Sequence, residues 1–250
     1  MSHPSSASLK PPLPVIVTRA EPGARQTCQR LAERGYLALS SPTLELTANP
    51  DAVMPEMETV SGLVFTSANG VRFFTAQSSD RTHSAWCVGP ATAEAARVAG
   101  FEQVHQSSGN ALQLAEFILA RGGRSAKPLL HIANAAAEGK LAERLSLANQ
   151  AVDFVPLYQA EPALKLSISV TKTLESQMPC LLLVHSAKAA LAFAYLAKGL
   201  PVGALIGVAI SDQAAAPLRH LDLPEVLIAD HPDEDGLFAA LKKAYPTLSS

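Results

Sequence analysis

The chain has 250 residues, enough for one large domain or for two domains of roughly 100–130 residues each. Apolar residues make up 48% of it and charged residues 17%, which excludes the disordered class and provides for a sizeable core. The formal net charge is −2 and no basic block stands out, so the sequence lacks the concentrated positive patch of a nucleic-acid-binding surface. No run approaches the about 18 apolar residues of a membrane span, and we expect no membrane association.

The amino terminus and the cysteines indicate the compartment. Residues 1–12, MSHPSSASLKPP, are polar and rich in Pro and Ser, and they predict a flexible arm rather than a signal peptide. Cys28, Cys87 and Cys180 each stand alone, with no CxxC partner and no histidine at metal-ligand spacing. We therefore expect a cytoplasmic protein with reduced cysteines and no metal site.

Short apolar runs recur along the chain, and each ends in small or polar residues before a helical pattern. In the first half these units begin at VIVTR (15–19), GLVFTSANG (62–70), WCVGPATA (86–93) and EQVHQSSGN (102–110). Apolar strands that alternate with helices predict parallel sheets covered on both faces. The sequence thus predicts an α/β protein.

The same series of units returns in the second half. Its members begin at LLHIANAAAEG (129–139), LLLVHSAKA (181–189), IGVAISDQA (206–214) and EVLIADHPD (225–233). The first unit of each series also contains the tetrapeptide LAER, at 31–34 and at 141–144. We interpret the two series as an ancient duplication, with a period too long for a solenoid.

Two stretches between the units differ from the rest. Residues 37–50 and 151–163 are extended, alternating and interrupted by proline, and they predict strands that link two domains. If both cross, the first domain is discontinuous. The predicted boundaries are 13–37 plus 164–250 for domain 1, 46–152 for domain 2, and 38–45 and 153–163 for the linker strands.

The carboxyl ends of parallel strands are where ligands bind, because helix N-termini present free N–H groups there. Here these ends carry mostly hydroxyls, amides and small residues: Thr18, Arg19, Thr66, Ser67, Asn69, Gly89, Asn134, Ser186 and Ser211. Such a lining suits a polyanionic ligand held by oriented dipoles. Each signal has a simpler alternative, because a serine can be only a helix cap, an arginine only a surface ion pair and a glycine only a turn residue.

Motifs for nucleotides and for familiar hydrolases are absent from the sequence. No G-x-G-x-x-G or G-x-x-x-x-G-K-[ST] follows a predicted strand, and no H-E-x-x-H or Ser/His/Asp arrangement can be identified. The residues alone therefore indicate a two-domain α/β protein with anion-binding strand ends and no specified reaction.

A family resemblance goes further. VTR at the first strand, FTSANGV at the second, VGPATA at the third and VPLY in the return linker resemble, in this order, the uroporphyrinogen-III synthase family from about residue 14 to residue 243. The resemblance implies two flavodoxin-like parallel-sheet domains joined by a two-stranded linker. It also implies that hydroxymethylbilane loses water and closes to uroporphyrinogen III with ring D inverted, without a cofactor or metal. The eight carboxylates of that substrate suit the predicted strand ends.

The resemblance assigns roles to individual residues. Tyr158, in the VxxY linker, corresponds to a family tyrosine that assists departure of the substrate hydroxyl, since a phenol can donate a proton while uncharged. The alternative for Tyr158 is a strand tyrosine that only packs between the linkers. Thr92 corresponds to a family threonine at the site, and Ser67, Asn69 and Ser186 correspond to positions near the substrate carboxylates.

Two places depart from the family pattern. Asn134 stands where many members have an Arg-Gly pair, and Ser211 with Asp212 replaces a Gly-Pro-Thr-type turn, which adds a negative charge. These departures keep a second hypothesis open, a non-catalytic tetrapyrrole-binding or sensor module of the same fold. For the enzyme we expect a monomer that contacts the upstream bilane-forming deaminase transiently.

Overall fold

The fold is that of a computed structural model in which residues 13–122, 125–137 and 139–247 are described. The arm predicted over residues 1–12 lies outside these residues. The chain divides into two compact units: unit 1 comprises Met1–Glu45 and Glu161–Ser250, and unit 2 comprises Leu46–Ala160. The chain therefore passes from one unit to the other twice.

The elements of the first half are, in chain order, β1 (Pro14–Val17), α1 (Gly23–Ala32), β2 (Leu37–Ser40), β3 (Leu44–Ala48), β4 (Gly62–Phe65), α2 (Ala68–Gln77), β5 (Ala85–Cys87), α3 (Pro90–Val98), β6 (Val104–Gln106) and α4 (Ala111–Arg121). Those of the second half are β7 (Leu129–Asn134), α5 (Lys140–Ser146), β8 (Val152–Pro162), α6 (Ile168–Glu175), β9 (Cys180–Val184), α7 (Ala187–Leu196), β10 (Leu205–Ala209), α8 (Asp212–Ala215), β11 (Val226–Ile228) and α9 (Glu234–Thr247).

Unit 1 contains a five-stranded parallel sheet in the order β11-β10-β9-β1-β2. Its strands are apolar along their length because both faces are covered. Ile16 and Leu182 pack with Phe193 of α7 on one face. Val15 and Leu181 pack on the other face, with α1 and α9.

Unit 2 contains a six-stranded sheet in the order β3-β8-β7-β4-β5-β6. Phe65, Phe74 and Phe101 form an aromatic cluster on the face covered by α2 and α3, with ring centroids 5.7 to 6.0 Å apart. Val64 and Trp86 pack on the opposite face, with α4 and α5. The five strands from β8 to β6 are parallel. The prediction of an α/β protein with parallel sheets covered on both faces is thus confirmed.

The internal repeat explains why the two sheets share one strand order. The repeated units align β1 with β7, β9 with β4, β10 with β5 and β11 with β6. With this alignment, the order β2-β1-β9-β10-β11 of unit 1 becomes β8-β7-β4-β5-β6, which is the order of the five parallel strands of unit 2 beside β3. Each sheet therefore combines the first strand of one series with the last three strands of the other.

The segments predicted as linkers contain more sheet than the sequence pattern indicates. Where a linker strand is predicted over 38–45, β2 lies parallel to β1 with Leu39 opposite Ile16, and only then does β3 begin. β3 runs antiparallel to β8, because Thr43 accepts from Ala163 and Asn49 donates to Leu157. The half-buried alternation of LALS is typical of a linker strand and of an edge strand alike, so sequence alone does not separate the two.

The cysteines lie in packed surroundings. Burial raises the pKa of both Cys87 and Cys180 to about 12, and Cys28 is half-buried. Thiols with such raised pKa values carry almost no thiolate at neutral pH and behave as small apolar side chains.

Candidate functional site

In unit 2, Tyr158 of β8 is joined to the helix that follows β4. The ring is 4% exposed and stacks on Phe73 of α2, with centroids 4.8 Å apart and an interplanar angle of 4°. Its hydroxyl interacts with the Ser67 side chain, which lowers the pKa of the phenol. Because β7 lies between β8 and β4, this interaction spans the end of β7. Tyr158 is therefore a packing residue, as the alternative interpretation of the sequence predicts. Its hydroxyl also lies at the strand ends.

A bulge in β8 sets the position of Tyr158. Ala133 of β7 lies opposite Pro156, but the next residue, Asn134, lies opposite Tyr158, so β8 carries one extra residue at this point. The extra residue, Leu157, is completely buried in the core of unit 2. Proline has no N–H to give to the ladder, which favours a bulge here, and bulges re-aim the side chains that follow them.

Ser67 both caps α2 and contacts the tyrosine. Its Oγ accepts the N–H of Asn69 at 3.1 Å, which satisfies one free donor of the first helical turn. With that acceptor position filled, the Ser67 hydroxyl hydrogen can be donated to the phenolic oxygen of Tyr158. The phenol proton is then left for a ligand.

The surroundings of Tyr158 have opposing effects on the pKa of its phenol. Burial raises the pKa of the phenol, and the hydrogen bond from Ser67 and the positive charge of Arg72 partly offset this. The Arg72 guanidinium lies over the Phe73 ring, 5.2 Å from its centroid. The phenol is therefore protonated at neutral pH, and its anion has a hydrogen-bond donor and a cation nearby.

The other predicted residues of unit 2 lie at the ends of β4, β5 and β7. Thr66 Oγ1 is 3.1 Å from His131 Nε2, and burial lowers the pKa of His131 to about 4, so this imidazole is neutral at pH 7. Gly89 begins α3 with extended backbone and open space beside its Cα, and Thr92 is buried in the first turn. Asn134 Oδ1 accepts the N–H of Ala136 at 2.9 Å.

Unit 1 holds the remaining predicted residues. Ser186 and Ser211 cap α7 and α8 by accepting from Ala189 at 3.2 Å and from Ala214 at 3.3 Å. Thr18 is completely buried and its hydroxyl donates to the Leu183 carbonyl at 2.8 Å. In this structure Thr18 thus joins β1 to β9, and its side chain offers no exposed donor.

Arg19 belongs to an ion-pair cluster around Glu234. Glu234 Oε1 lies 3.7 Å from Arg19 Nη1 and 3.9 Å from His185 Nε2, and the Glu234 carboxylate accepts from Thr27 and Arg30 of α1. Burial raises the pKa of Glu234, but its contacts with His185, Thr27 and Arg30 outweigh burial and lower the pKa to about 2. The cluster joins α1, α9 and the ends of β1 and β9.

Removal of the Glu234 charge is expected to weaken unit 1 in a pH-dependent way. The folded-state pKa of about 2 lies below the ordinary 4.5, so this stabilisation is complete above about pH 5 and is lost as the pH falls towards 2. Glu234→Gln should lower the free energy of unfolding by about 1–3 kcal/mol at pH 7, since Thr27 and Arg30 lose a charged acceptor and Arg30 keeps only its ion pair with Asp235. Urea denaturation at pH 7 and pH 3 measures this, and the difference from wild type should shrink at pH 3.

The control for Glu234→Gln is Asp212→Asn. Asp212 pairs with Arg219, but its side chain is 74% exposed, so its loss should have little effect at either pH. A difference for Glu234→Gln that stays the same at pH 3 would contradict the assignment of the lowered pKa.

The structure adds residues that the motif search does not single out. Phe73 and Arg72 follow the FTSANG motif by three and two positions, and helical spacing alone does not show that one stacks on Tyr158. Gly70 lies so close to β7 that a Cβ there would come within 2.7 Å of the Ile132 carbonyl oxygen. Glu234 is far from any motif, and the acidic start of the last helix is its only signal.

These observations define the class of protein. It is a two-unit α/β protein with two flavodoxin-like sheets, a two-stranded linker and polar residues at the strand ends. A family model described as uroporphyrinogen-III synthase HemD matches residues 25–239. The chain belongs to the uroporphyrinogen-III synthase family, whose members serve porphyrin and haem biosynthesis.

Comparison with one solved structure supports the same fold. A uroporphyrinogen-III synthetase from Helicobacter pylori has a TM-score of 0.65 at 17% identity, covering 93% of this chain and 99% of that one. A mutant uroporphyrinogen III synthase from Thermus thermophilus is more distant, with a TM-score of 0.48 at 15% identity, covering 94% and 99%. No curated protein matches the chain. Across the described residues, no helix has both the length and the apolar character to cross a membrane.

Proposed function

We propose that this chain catalyses the cyclising dehydration of hydroxymethylbilane to uroporphyrinogen III, a hydro-lyase reaction that inverts ring D. The family match over residues 25–239 supports the reaction. The observation that carries the site is the buried Tyr158, which stacks on Phe73 and interacts with the Ser67 side chain. In this proposal the enzyme is a cytoplasmic monomer that receives its substrate in a transient contact with the upstream deaminase.

The first chemical task is to help a poor leaving group depart. Tyr158 donates its phenolic proton to the substrate hydroxyl as the C–O bond breaks, which releases water and leaves a cationic azafulvene. Ring D attacks through its substituted carbon, and the resulting spiro intermediate fragments and recloses inverted. The proton that the ring carbon loses on reclosure balances the one that Tyr158 gave up, so the reaction needs no external acid or base.

Ser67 makes Tyr158 suited to this task. Its hydroxyl, fixed by the Asn69 N–H, donates to the phenolic oxygen and directs the phenol proton outward. The same hydrogen bond and the nearby Arg72 stabilise the phenolate that forms as the proton leaves. Stacking on Phe73 holds the ring in place, so little reorganisation accompanies the transfer.

The substrate carboxylates are held mainly by dipoles. In unit 2 the proposed donors are at the starts of α2 and α3 and at the end of β7. In unit 1 the proposed donors are at Arg19 and at the starts of α7 and α8. The residues of this set are Arg19, Ser67, Asn69, Gly89, Thr92, Asn134, Ser186 and Ser211. Thr18 and Thr66 stabilise this set indirectly. Thr18 is hydrogen-bonded to the Leu183 carbonyl, and Thr66 is hydrogen-bonded to His131.

The alternative of a non-catalytic binding module is not favoured by the family match. That alternative rests on the two departures from the family pattern, at Asn134 and at Asp212. The charge of Asp212 is paired with Arg219, and Asn134 forms a local turn, so both positions are compatible with an anionic ligand. Turnover of hydroxymethylbilane with formation of the type III isomer separates the two hypotheses.

Ser67→Asp tests the hydrogen bond to Tyr158. Aspartate keeps the cap on Asn69, so the free energy of unfolding should change little. The new charge should repel substrate carboxylates and raise the Michaelis constant. A carboxylate also cannot donate to the phenolic oxygen, and its charge raises the phenol pKa, so turnover should fall about tenfold as well. Steady-state kinetics with hydroxymethylbilane measure this.

Ser186→Asp is the matched comparison for Ser67→Asp. Ser186 caps α7 in the same geometry, but no tyrosine is bonded to it among the described residues. Its replacement should repel substrate carboxylates and raise the Michaelis constant rather than lower turnover. Equal losses of turnover in both variants would contradict the special role of Ser67.

A further inference from the structure

A cavity in unit 2 lies apart from Tyr158, at the carboxyl end of β6. It has a volume of about 590 Å³ and is lined by Gln106, Ser107, Leu112, Gln113, Glu116 and Phe117. All of these residues belong to β6, to the turn after it or to the first seven residues of α4. The cavity therefore forms within a single strand–helix unit.

Ser107 lines this cavity and has a buried, unsatisfied hydroxyl. The residue is 4% exposed, and its Oγ is buried with no hydrogen-bond partner among the described residues. Its N–H donates to the Cys87 carbonyl at 2.9 Å, so the sheet fixes its position. A buried hydroxyl without a partner is costly, which indicates that a group from outside the protein satisfies it.

The start of α4 adds donors at the same place. In its capping box, Asn110 accepts the N–H of Gln113, and Gln113 in turn accepts the N–H of Asn110. The first-turn N–H groups of Ala111 and Leu112 have no acceptor within the helix. This helix has 11 residues, and its partial positive charge favours an anion.

The rest of the lining limits the kind of anion. Leu112, which is 48% exposed, and Phe117 provide an apolar wall. The carboxylate of Glu116 does not repel an anion strongly, because Arg144 binds both of its oxygens, at 2.6 and 3.1 Å. A polar end beside an apolar wall suits a carboxylate carried on a short alkyl chain.

We propose that this cavity binds an alkyl carboxylate, with the carboxylate at Ser107 and the start of α4 and the methylenes against Leu112 and Phe117. β4, β5 and β6 are parallel neighbours, so the cavity opens at the same sheet edge as Ser67, about 10 Å away at two strand spacings. A carboxylate side arm of the bilane is then the physiological occupant. That last identification rests on the proposed function.

Amide NMR with sodium propionate as the probe tests the binding itself. Saturable shifts are expected at Ser107, Ser108 and Leu112, beyond those caused by sodium chloride at equal ionic strength. Ser107→Ala should weaken propionate binding at least about fivefold and still fold, because the Ser107 hydroxyl has no partner among the described residues. Ser146→Ala, at an exposed position of α5 in the same unit, should bind as wild type. Shifts equal to those in sodium chloride, or unchanged in Ser107→Ala, would overturn the site.

Steady-state kinetics test the occupant separately. Ser107→Ala is expected to raise the Michaelis constant for hydroxymethylbilane about fivefold with turnover unchanged. If propionate binding is lost but the Michaelis constant stays the same, the bilane arm is not the occupant and that part of the proposal fails. If the wild-type chain does not turn over the bilane, the proposed function fails. Propionate binding then still tests whether the cavity binds an alkyl carboxylate.

Discussion

Tyr158→Phe is expected to lower turnover of hydroxymethylbilane about 10- to 100-fold, equivalent to about 1.4–2.7 kcal/mol of transition-state stabilisation. The variant loses only the phenolic hydroxyl, which donates the proton to the leaving group. The ring remains stacked on Phe73, so the Michaelis constant and the free energy of unfolding should stay close to wild type. Some activity should remain, because the hydroxyl also departs slowly without help.

The pH profile of Tyr158→Phe gives a second measurement. Wild-type turnover should fall at alkaline pH as the phenol ionises, at a pH above the ordinary tyrosine value because burial raises the pKa. The variant should lose this alkaline limb. Tyr195→Phe, at an exposed position of α7, is the control and should behave as wild type. Wild-type turnover in Tyr158→Phe would remove this residue from the mechanism.

Gly70→Ala is expected to damage both the fold and the site. A Cβ at this position would lie 2.7 Å from the Ile132 carbonyl oxygen, and the backbone of a central strand cannot give way as a flexible side chain can. Helix α2 must therefore move off β7, at a cost of about 1–3 kcal/mol in the free energy of unfolding. Since α2 carries Ser67 and Phe73, turnover should fall as well.

Urea denaturation and steady-state kinetics measure the two effects of Gly70→Ala. Gly203→Ala is the matched control, because a Cβ there meets nothing within 4 Å and the residue is exposed. Its stability and turnover should equal or slightly exceed those of wild type. A Gly70→Ala variant as stable as Gly203→Ala would show that the helix does not depend on this close approach.

Much of the fold follows from patterns that the sequence displays directly. The continuous apolar strands VIV and LLLV require cover on both faces, and the repeated units give the same strand order twice. The limits of the linker are less predictable, because LALS alternates in the same way whether it pairs with β1 or crosses between units. Pairing partners, and not local pattern, decide that question.

The site was predictable only in part. The turn after β4 and the VPLY segment indicate Ser67 and Tyr158 separately, yet nothing in the sequence shows that the two side chains interact, since the interaction depends on strand order and on a bulge. Thr18 has the same apparent signal as Ser67 but turns inward to Leu183. The role of Glu234 in the ion-pair cluster is apparent only from the structure, in which α9 packs beside α1.

The central claim concerns which isomer this chain makes, and product analysis tests it most directly. Freshly prepared hydroxymethylbilane is incubated with the chain, the products are oxidised to porphyrins, and the type I and type III isomers are separated by chromatography. We predict predominantly type III product, formed faster than spontaneous closure, with a much lower type III rate in Tyr158→Phe. Type I product alone, at the spontaneous rate, would contradict the account.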